Sequence, residues 1–185
     1  EWFESNLSGA ADLQAKIADF EPEVVYHLAW EGIPDFSEEV SRKNLTQALE
    51  FLGPVLGLSS VKRLIVSGSC WEYGARVGAC SESLPAAPVN WFTWAKDALR
   101  SYLEIACAQN DVTFVWMRIF FVYGPDQREQ SLIPTVIEAL AKNKEPDVRS
   151  PYAGNDFVYV DDVIEGLKCA LSQKVPSGIF NLGRG

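Results

Sequence analysis

Short apolar runs alternate along this chain with longer segments in which apolar residues recur at helical spacing. The runs at Val24 to Ala29 and Arg63 to Ser67 lack strict alternation of apolar and polar positions. That pattern is typical of strands covered on both faces of a parallel sheet. Between them, Phe36 to Leu56 has the periodicity of an amphipathic helix, with Gly53-Pro54 predicted as its end or as a kink. Together they predict a strand, a helix and a second strand.

The alternation of helices and strands continues to the end of the chain. Apolar periodicity predicts helices over Trp91 to Ala108, Leu132 to Ala141 and Val160 to Ser172. Val112 to Ile119 and Gly178 to Leu182 predict the remaining strands. Strands that alternate with helices in this way predict an α/β fold built on a Rossmann-like, doubly wound parallel sheet.

Composition excludes several classes of protein. The 185 residues carry a net charge of -9, which would repel a phosphate backbone, so we expect no nucleic-acid partner. The longest apolar stretch, residues 112–122, is interrupted by Arg118 and is about half of the roughly 20 residues that a membrane helix needs. His27 is the only histidine and no C-x-x-C pair occurs, so we predict no metal site and expect buried free thiols in a reducing cytoplasm. The cysteines are Cys70, Cys80, Cys107 and Cys169.

Two segments hold the candidate chemistry. Leu64 to Gly74 (LIVSGSCWEYG) leads from a strand into a turn and places the hydroxyls of Ser67 and Ser69 at the strand's carboxyl end. Open α/β sheets usually have their ligand crevice there, although such residues also simply end strands and cap helices. Downstream, Lys96 follows Phe92 by four residues on one helix face and could hold a ribose hydroxyl. A solvated surface lysine is the alternative.

Five segments, in order, resemble motifs of the extended short-chain dehydrogenases that modify nucleotide sugars, the NAD-dependent epimerases and dehydratases. Pro22 to Trp30 (PEVVYHLAW) resembles their P-D-V-V-I-H-L-A-A strand, and Ser67 to Gly74 (SGSCWEYG) resembles their S-S-S-x-x-V-Y-G turn. Arg118 to Pro125 (RIFFVYGP) is similar to R-x-F-N-V-Y-G-P. Asp156 to Asp162 (DFVYVDD) and Phe180 to Gly185 (FNLGRG) resemble D-F-x-Y-V-x-D and Y-N-L-G-S-G. The resemblance covers nearly the whole chain.

The resemblance implies a catalytic group at Ser69, Phe92 and Lys96. In such enzymes the tyrosine of a Tyr-x-x-x-Lys pair acts as general acid or base, the lysine lowers its pKa and holds the nicotinamide ribose, and the serine bonds the reacting oxygen. Phe92 stands at the tyrosine position and has no ionisable proton. We therefore expect transient oxidation at a sugar carbon to be impaired. Tyr73 and Tyr123 are less favoured as replacement acids, because both belong to Y-G motifs that shape turns.

The resemblance also implies NAD or NADP as cofactor and a nucleotide sugar as substrate. No G-x-x-G-x-x-G turn occurs in the sequence, so we expect the first β-α-β unit to be missing and cofactor binding to be weak or absent. Substrate contacts are expected at Ser69, Phe121 and Asn155, where Phe121 replaces the usual asparagine and Asn155 an arginine. Cofactor contacts are expected at His27, Leu28, Ala29, Trp30, Asn44, Ser67, Lys96 and Phe120.

The predicted organisation divides the chain at residue 124. Residues 1–124 form the remainder of a dinucleotide-binding domain, and residues 125–185 combine substrate-region loops with the final Rossmann helix and strand. The resemblance implies a homodimer through the helices near 36–56 and 91–108. Two alternatives to an incomplete enzyme stay open: a non-catalytic homologue that binds a nucleotide or a partner, and a module that pairs through those helices. The sequence leaves open the sugar, the choice of NAD or NADP, and the choice among epimerase, dehydratase and reductase.

Overall fold

The structure, a computed structural model, describes residues 10–148 and 150–185, which contain five α-helices and six strands. The helices are α1 (Ala10–Phe20), α2 (Glu38–Leu56), α3 (Trp91–Gln109), α4 (Leu132–Ala141) and α5 (Val160–Cys169). The strands are β1 (Val24–His27), β2 (Arg63–Ser69), β3 (Thr113–Ile119), β4 (Phe121–Tyr123), β5 (Phe157–Tyr159) and β6 (Gly178–Leu182). A short 3-10 helix, Cys70–Tyr73, follows β2 directly.

The main sheet is parallel throughout and has the strand order β1-β2-β3-β6. Strands β4 and β5 form a separate parallel pair. Connections between neighbouring parallel strands run through α2 and α3, as the alternation of patterns in the sequence predicts. The α/β class with a doubly wound parallel sheet is therefore confirmed.

Successive residues of β2 point to opposite faces of the sheet and bury them under different helices. Leu64 and Val66 belong to the core beneath α2 and α3, where Leu99 is also inaccessible to solvent. Ile65, between them in sequence, packs on the other face with Leu167 of α5. Full burial of each such side chain contributes about 2 kcal/mol, so the central strands are fixed from both sides.

Helix α2 continues past Gly53-Pro54, which the sequence pattern marks as an end or a kink, and reaches Leu56. Proline has no backbone N–H, so the carbonyl of Glu50 loses its helical donor. The side chain of Gln14 on α1 supplies one instead, with Nε2 donating to that carbonyl at 3.3 Å. A contact from a distant helix therefore compensates for the proline.

The carboxyl ends of all four strands of the main sheet lie along one edge, since the strands are parallel. The segments that follow His27, Ser69, Ile119 and Leu182 therefore meet there. Open α/β sheets place their ligand crevice at this edge. None of the helices in the described ranges combines the length and the apolar character needed to cross a bilayer.

Candidate functional site

The start of α3 is fixed by a reciprocal cap. Oδ1 of Asn90 accepts a hydrogen bond from the backbone N–H of Thr93 at 2.9 Å, and Oγ1 of Thr93 accepts one from the backbone N–H of Asn90 at 3.3 Å. Such a pair satisfies two N–H groups at the helix start. Phe92 and Lys96 lie one turn apart on this helix and are only 7% and 3% exposed.

Lys96 makes its polar contacts within the protein. Its Nζ donates to the backbone carbonyl of Ser67 at 2.7 Å and lies 4.3 Å from the centroid of the Trp30 ring. Burial lowers the pKa of Lys96 to about 8, against the opposing effect of the Glu72 carboxylate. The structure therefore brings three of the predicted residues together, with Ser67 contributing its carbonyl and Trp30 covering the amine.

Phe92 is part of a cluster of four aromatic rings. Its centroid lies 5.2 Å from Trp30, 5.2 Å from Phe36 and 6.4 Å from Trp71. Phe36 also packs against Trp71 at 5.2 Å. The cluster joins the loop after β1, the turn after β2 and the start of α3. Edge-to-face aromatic pairs contribute about 0.5–1.5 kcal/mol each beyond the burial of their area. Phe92 therefore stabilises the packing of these three segments against one another.

Ser69 ends β2 and caps the 3-10 helix that follows. Its Oγ accepts a hydrogen bond from the backbone N–H of Trp71 at 3.2 Å. Its own backbone N–H donates to Oε1 of Glu72 at 2.7 Å. The backbone conformation at Ser69 is thus fixed by both sides of a capping box, and the hydroxyl stays at the carboxyl edge of the sheet.

Glu72 is a buried residue that supports Ser69 behind the cavity and was not predicted from the sequence. Its carboxylate is completely inaccessible and pairs with Nε of Arg118 at 3.0 Å, while Nε1 of Trp116 donates to it at 3.0 and 3.1 Å. The only signal in the sequence is that the resembled S-S-S-x-x-V-Y-G turn has valine where this chain has Glu72. Because a charged residue in a turn usually faces solvent, that difference alone does not predict burial.

A cavity of about 640 Å³ opens beside Ser69 and Phe92. Its walls come from the loop after β1, the turn after β2, the β3–β4 segment and the start of α4. The aromatic side chains that line it are Phe36, Trp71, Phe92, Phe120, Phe121 and Phe157. The polar side chains that line it are Ser69, Gln127, Arg128, Ser131 and Asn155.

Phe121 and Asn155, which the resemblance predicts as substrate contacts, both line this cavity. Phe121 packs against Phe157 with ring centroids 5.8 Å apart, and Asn155 precedes that strand, so all three lie at the wall built by β4 and β5. Phe120 also lines the cavity, and its backbone N–H donates to the carbonyl of Leu182 at 3.0 Å. Relative to the motifs that the sequence resembles, Phe121 thus presents an apolar ring instead of an amide, and Asn155 an amide instead of a guanidinium.

Of the remaining predicted cofactor positions, His27, Leu28 and Ala29 lie at the end of β1, and Asn44 lies on α2. Burial, reinforced by the charge of Lys96, lowers the pKa of His27 to about 4, and its Nε2 has no partner among the described residues. The side-chain amide of Asn44 is hydrogen-bonded to the backbone of the loop after β1. Its Oδ1 accepts from the N–H of Glu31 at 2.7 Å, and its Nδ2 donates to the Glu31 carbonyl at 3.1 Å. Leu28 and Ala29 are exposed.

The expectation of buried cysteines is wrong for three of the four. All four are free, but only Cys107 is buried; Cys70 and Cys80 are half-buried and Cys169 is exposed. Cys169 is the last residue of α5, which ends before the predicted Ser172. Within the described residues, no group of three or more His, Cys, Asp or Glu side chains is arranged to hold a metal ion.

The chain is similar to known proteins over nearly its whole length. The profile of the NAD dependent epimerase/dehydratase family matches residues 1–183. The chain is 27% identical to UDP-glucose 4-epimerase of Mycolicibacterium smegmatis over 188 positions, covering 95% of this chain and 59% of that protein. It is 30% identical to dTDP-D-glucose 4,6-dehydratase of Homo sapiens over 103 residues, which are 55% of this chain and 29% of the dehydratase.

Solved structures share the fold. A tyrosine-to-phenylalanine mutant of UDP-glucuronic acid 4-epimerase from Bacillus cereus, in complex with UDP-4-deoxy-4-fluoro-glucuronic acid and NAD, matches with a TM-score of 0.85 and 24% identity. UDP-glucose 4-epimerase of Thermotoga maritima with UDP-glucose matches with a TM-score of 0.84 and 23% identity. The chain spans 60% and 62% of the lengths of these two proteins.

Proposed function

Because this chain belongs to the NAD dependent epimerase/dehydratase family, we propose that its cavity binds a nucleotide sugar. We propose also that Phe92, at the tyrosine position, lacks the phenol hydroxyl that would act as general acid or base. One observation carries the proposal. Phe92 lines the cavity together with Ser69 and stands four residues before the buried Lys96, where the family pattern has tyrosine. A phenyl ring neither donates nor accepts a proton, so oxidation of a sugar hydroxyl lacks its general base.

A solved structure with the same fold holds a nucleotide sugar although one of its tyrosines is replaced by phenylalanine. The Bacillus cereus epimerase mutant has phenylalanine in place of a tyrosine and is in complex with NAD and a fluorinated UDP sugar. We propose that in this chain, too, a phenylalanine at the cavity is compatible with a bound nucleotide sugar. The proposal applies equally to an epimerase, a dehydratase and a reductase ancestor, because all three need that proton transfer.

Because all four cysteines are free, we propose the cytoplasm as the compartment of this protein.

The chemistry of the cavity wall supports an anionic ligand with a flat, partly apolar body. Arg128 is the one cationic side chain among the described lining residues, and none of those residues is acidic. The rest of the chain is strongly acidic, with a net charge of -9, so an arginine at this rim is a local exception. Guanidinium groups bind phosphate oxygens in a planar, two-pronged geometry, and aromatic rings stack on bases and on the apolar faces of sugars.

The described residues do not by themselves fit a complete dinucleotide. Lys96, which would hold a ribose hydroxyl, donates to Ser67 and lies beneath Trp30. The sequence has no G-x-x-G-x-x-G turn to bring a pyrophosphate onto a helix N-terminus. We therefore propose that NAD and NADP bind this chain weakly or not at all.

Titration calorimetry on the chain tests the binding proposal. We expect UDP-glucose to bind with a dissociation constant on the order of 100 μM and NAD to bind more weakly than about 10 μM, which corresponds to roughly 7 kcal/mol. Arg128→Gln should weaken UDP-glucose binding about tenfold, because it removes the phosphate-binding charge. Arg76→Gln, at an exposed arginine outside the cavity, should leave it unchanged. Equal losses in both variants would assign the effect to net charge instead.

A second candidate function, an interaction module, is favoured by the outer face of α3. Four large apolar side chains, Trp91, Trp94, Tyr102 and Ile105, follow one another at helical spacing and are 40–61% exposed. Trp91 and Trp94 pack edge to face at 5.7 Å. Contiguous exposed apolar surface of this kind marks interaction sites. We propose that α2 and α3 of two copies pair across this face.

Light scattering over a range of concentrations tests the pairing. We expect the chain to be a homodimer and Ile105→Asp to make it a monomer, because a charge buried in an apolar interface has no partner. Val77→Asp is the control, since Val77 is 99% exposed and lies in a loop outside the helices. A wild-type chain that stays monomeric at high micromolar concentration would remove this candidate.

A further inference from the structure

The carboxylate of Glu72 is 0% exposed, which is costly for an ionised group unless donors surround it. Three groups supply those donors: the guanidinium of Arg118, the indole N–H of Trp116 and the backbone N–H of Ser69. Arg118 and Trp116 lie on β3, in the centre of the sheet. Ser69 lies at the cavity wall. The carboxylate therefore bridges the rigid core and the proposed ligand site.

The surroundings leave the turn little freedom to shift. A Cβ on Gly68 would meet Oε1 of Glu72 at 2.7 Å and would also clash with Nε1 of Trp116, so the strand passes directly against the carboxylate. The carbonyl of Glu72 accepts from the N–H of Ala87 at 2.7 Å, which fastens the far side of the turn to the loop before α3. Glu72 is thus held at both its backbone and its side chain.

Fixing the backbone of Ser69 also directs its hydroxyl. The Oγ atom accepts the N–H of Trp71, so one lone pair is used by the turn. The hydroxyl proton can still be donated to a ligand in the cavity that Ser69 lines. A side chain held within about 0.5 Å by its supporting contacts binds more strongly than one that must be ordered first.

We infer that Glu72 is a positioning residue of this site: its buried carboxylate anchors Ser69 to the core of the sheet and so sets where the serine hydroxyl meets the sugar. The inference rests on the proposed function, in which that cavity binds a nucleotide sugar. Glu72 touches no ligand in this role and acts only through Ser69. A glutamine in its place has one oxygen, so it cannot accept from Arg118 and from the Ser69 N–H on both sides at once.

A double-mutant cycle with UDP-glucose separates positioning from general stability. We expect Ser69→Ala and Glu72→Gln each to weaken binding about tenfold, and the double variant to be about tenfold weaker as well, because the two changes remove one interaction. A loss of about a hundredfold in the double variant would mean that Glu72 acts independently of Ser69. Wild-type affinity in Glu72→Gln would also overturn the inference.

Alkylation of Cys70 tests the positioning in the absence of any ligand. Cys70 directly follows Ser69, is half-buried, and has a pKa raised by burial to about 11, so iodoacetamide should react with it slowly. We expect Glu72→Gln to speed alkylation of Cys70 about tenfold and to leave Cys107, which is buried elsewhere in the core, unchanged. Faster alkylation of both cysteines would indicate global unfolding, and an unchanged Cys70 in a folded variant would overturn the inference.

The binding measurement tests the proposed function, and the alkylation of Cys70 tests the anchoring of the turn, so either one can fail without the other. Absence of UDP-glucose binding in the wild type, with Cys70 protected only when Glu72 is present, would remove the proposed function and leave the anchoring of the turn intact. If Glu72→Gln alone does not fold because Arg118 is left unpaired, the pair Glu72→Gln with Arg118→Gln removes both charges. The same increase in Cys70 reactivity is expected there, and its absence would contradict the inference.

Discussion

Phe92→Tyr is expected to raise the rate of oxidation or epimerisation of a nucleotide sugar about 10²-fold or more, when the chain is fused to the Gly-rich dinucleotide-binding unit of a relative. The substitution restores a phenol four residues before Lys96, whose side chain is buried and carries a charge that favours the phenolate. General acid or base groups contribute about 10²–10⁴-fold. The measurement is turnover of UDP-glucose by two fusions that differ only in whether position 92 has the native phenylalanine or the substituted tyrosine.

Phe20→Tyr is the matched control for that experiment. Phe20 is 74% exposed at the end of α1 and does not line the cavity. A hydroxyl there should leave the rate unchanged. Equal rates for Phe92 and its tyrosine variant would show that another acid carries the proton. Tyr73 is poorly suited to that role, because its hydroxyl donates to Oδ1 of Asn181 at 2.7 Å and Arg118 stacks on its ring.

Arg118→Met is expected to lower the free energy of unfolding by about 3–5 kcal/mol, measured from urea denaturation. The change leaves the carboxylate of Glu72 buried without its cation, and breaking a buried pair from one side is costly for that reason. Methionine fills a similar volume, so lost packing is a small part of the effect. The midpoint should fall while the denaturant dependence stays the same, since the surface exposed on unfolding is unchanged.

Arg63→Met serves as the control for that change. Arg63 is also buried, but its guanidinium donates to the carbonyl of Val175 at 3.1 Å and pairs with no carboxylate among the described residues. Its loss should cost about 1.5–3 kcal/mol, the scale of one hydrogen bond to a charged group. Equal losses at Arg63 and Arg118 would show that the ion pair with Glu72 has no special weight.

Hydrophobic periodicity predicts the elements that pack on both sides or along a full helical face. β6 coincides with its predicted bounds, and β2 and α3 extend only slightly beyond theirs. Strands β4 and β5 were not predicted, because such short strands do not establish a period. Helix α1 was not predicted either; its apolar residues Leu13 and Ile17 are partly buried against the core.

The candidate site was predictable in its membership and less so in its contacts. Motif spacing brought Ser69, Phe92 and Lys96 together, and the structure places all three at one edge of the sheet. Motif spacing could not predict that the Trp30 ring covers the Lys96 amine, because this contact depends on the path of the loop after β1. Glu72 was missed because a charged residue in a turn usually faces solvent, and only its partners on β3, far along the chain, offset the cost of its burial.

The cap at the start of α3 has a consequence for how this sequence can drift. Asn90 and Thr93 fix the helix start through their own side chains, and Phe92 contributes only the apolar part of its ring to the aromatic cluster. Tyrosine and phenylalanine present nearly the same apolar surface, so selection for a folded protein does not distinguish between them at this position. Under the proposed function, a single nucleotide change at this codon would therefore exchange a ring without a proton-transfer group for a phenol while the scaffold, Ser69 and Lys96 stay as they are.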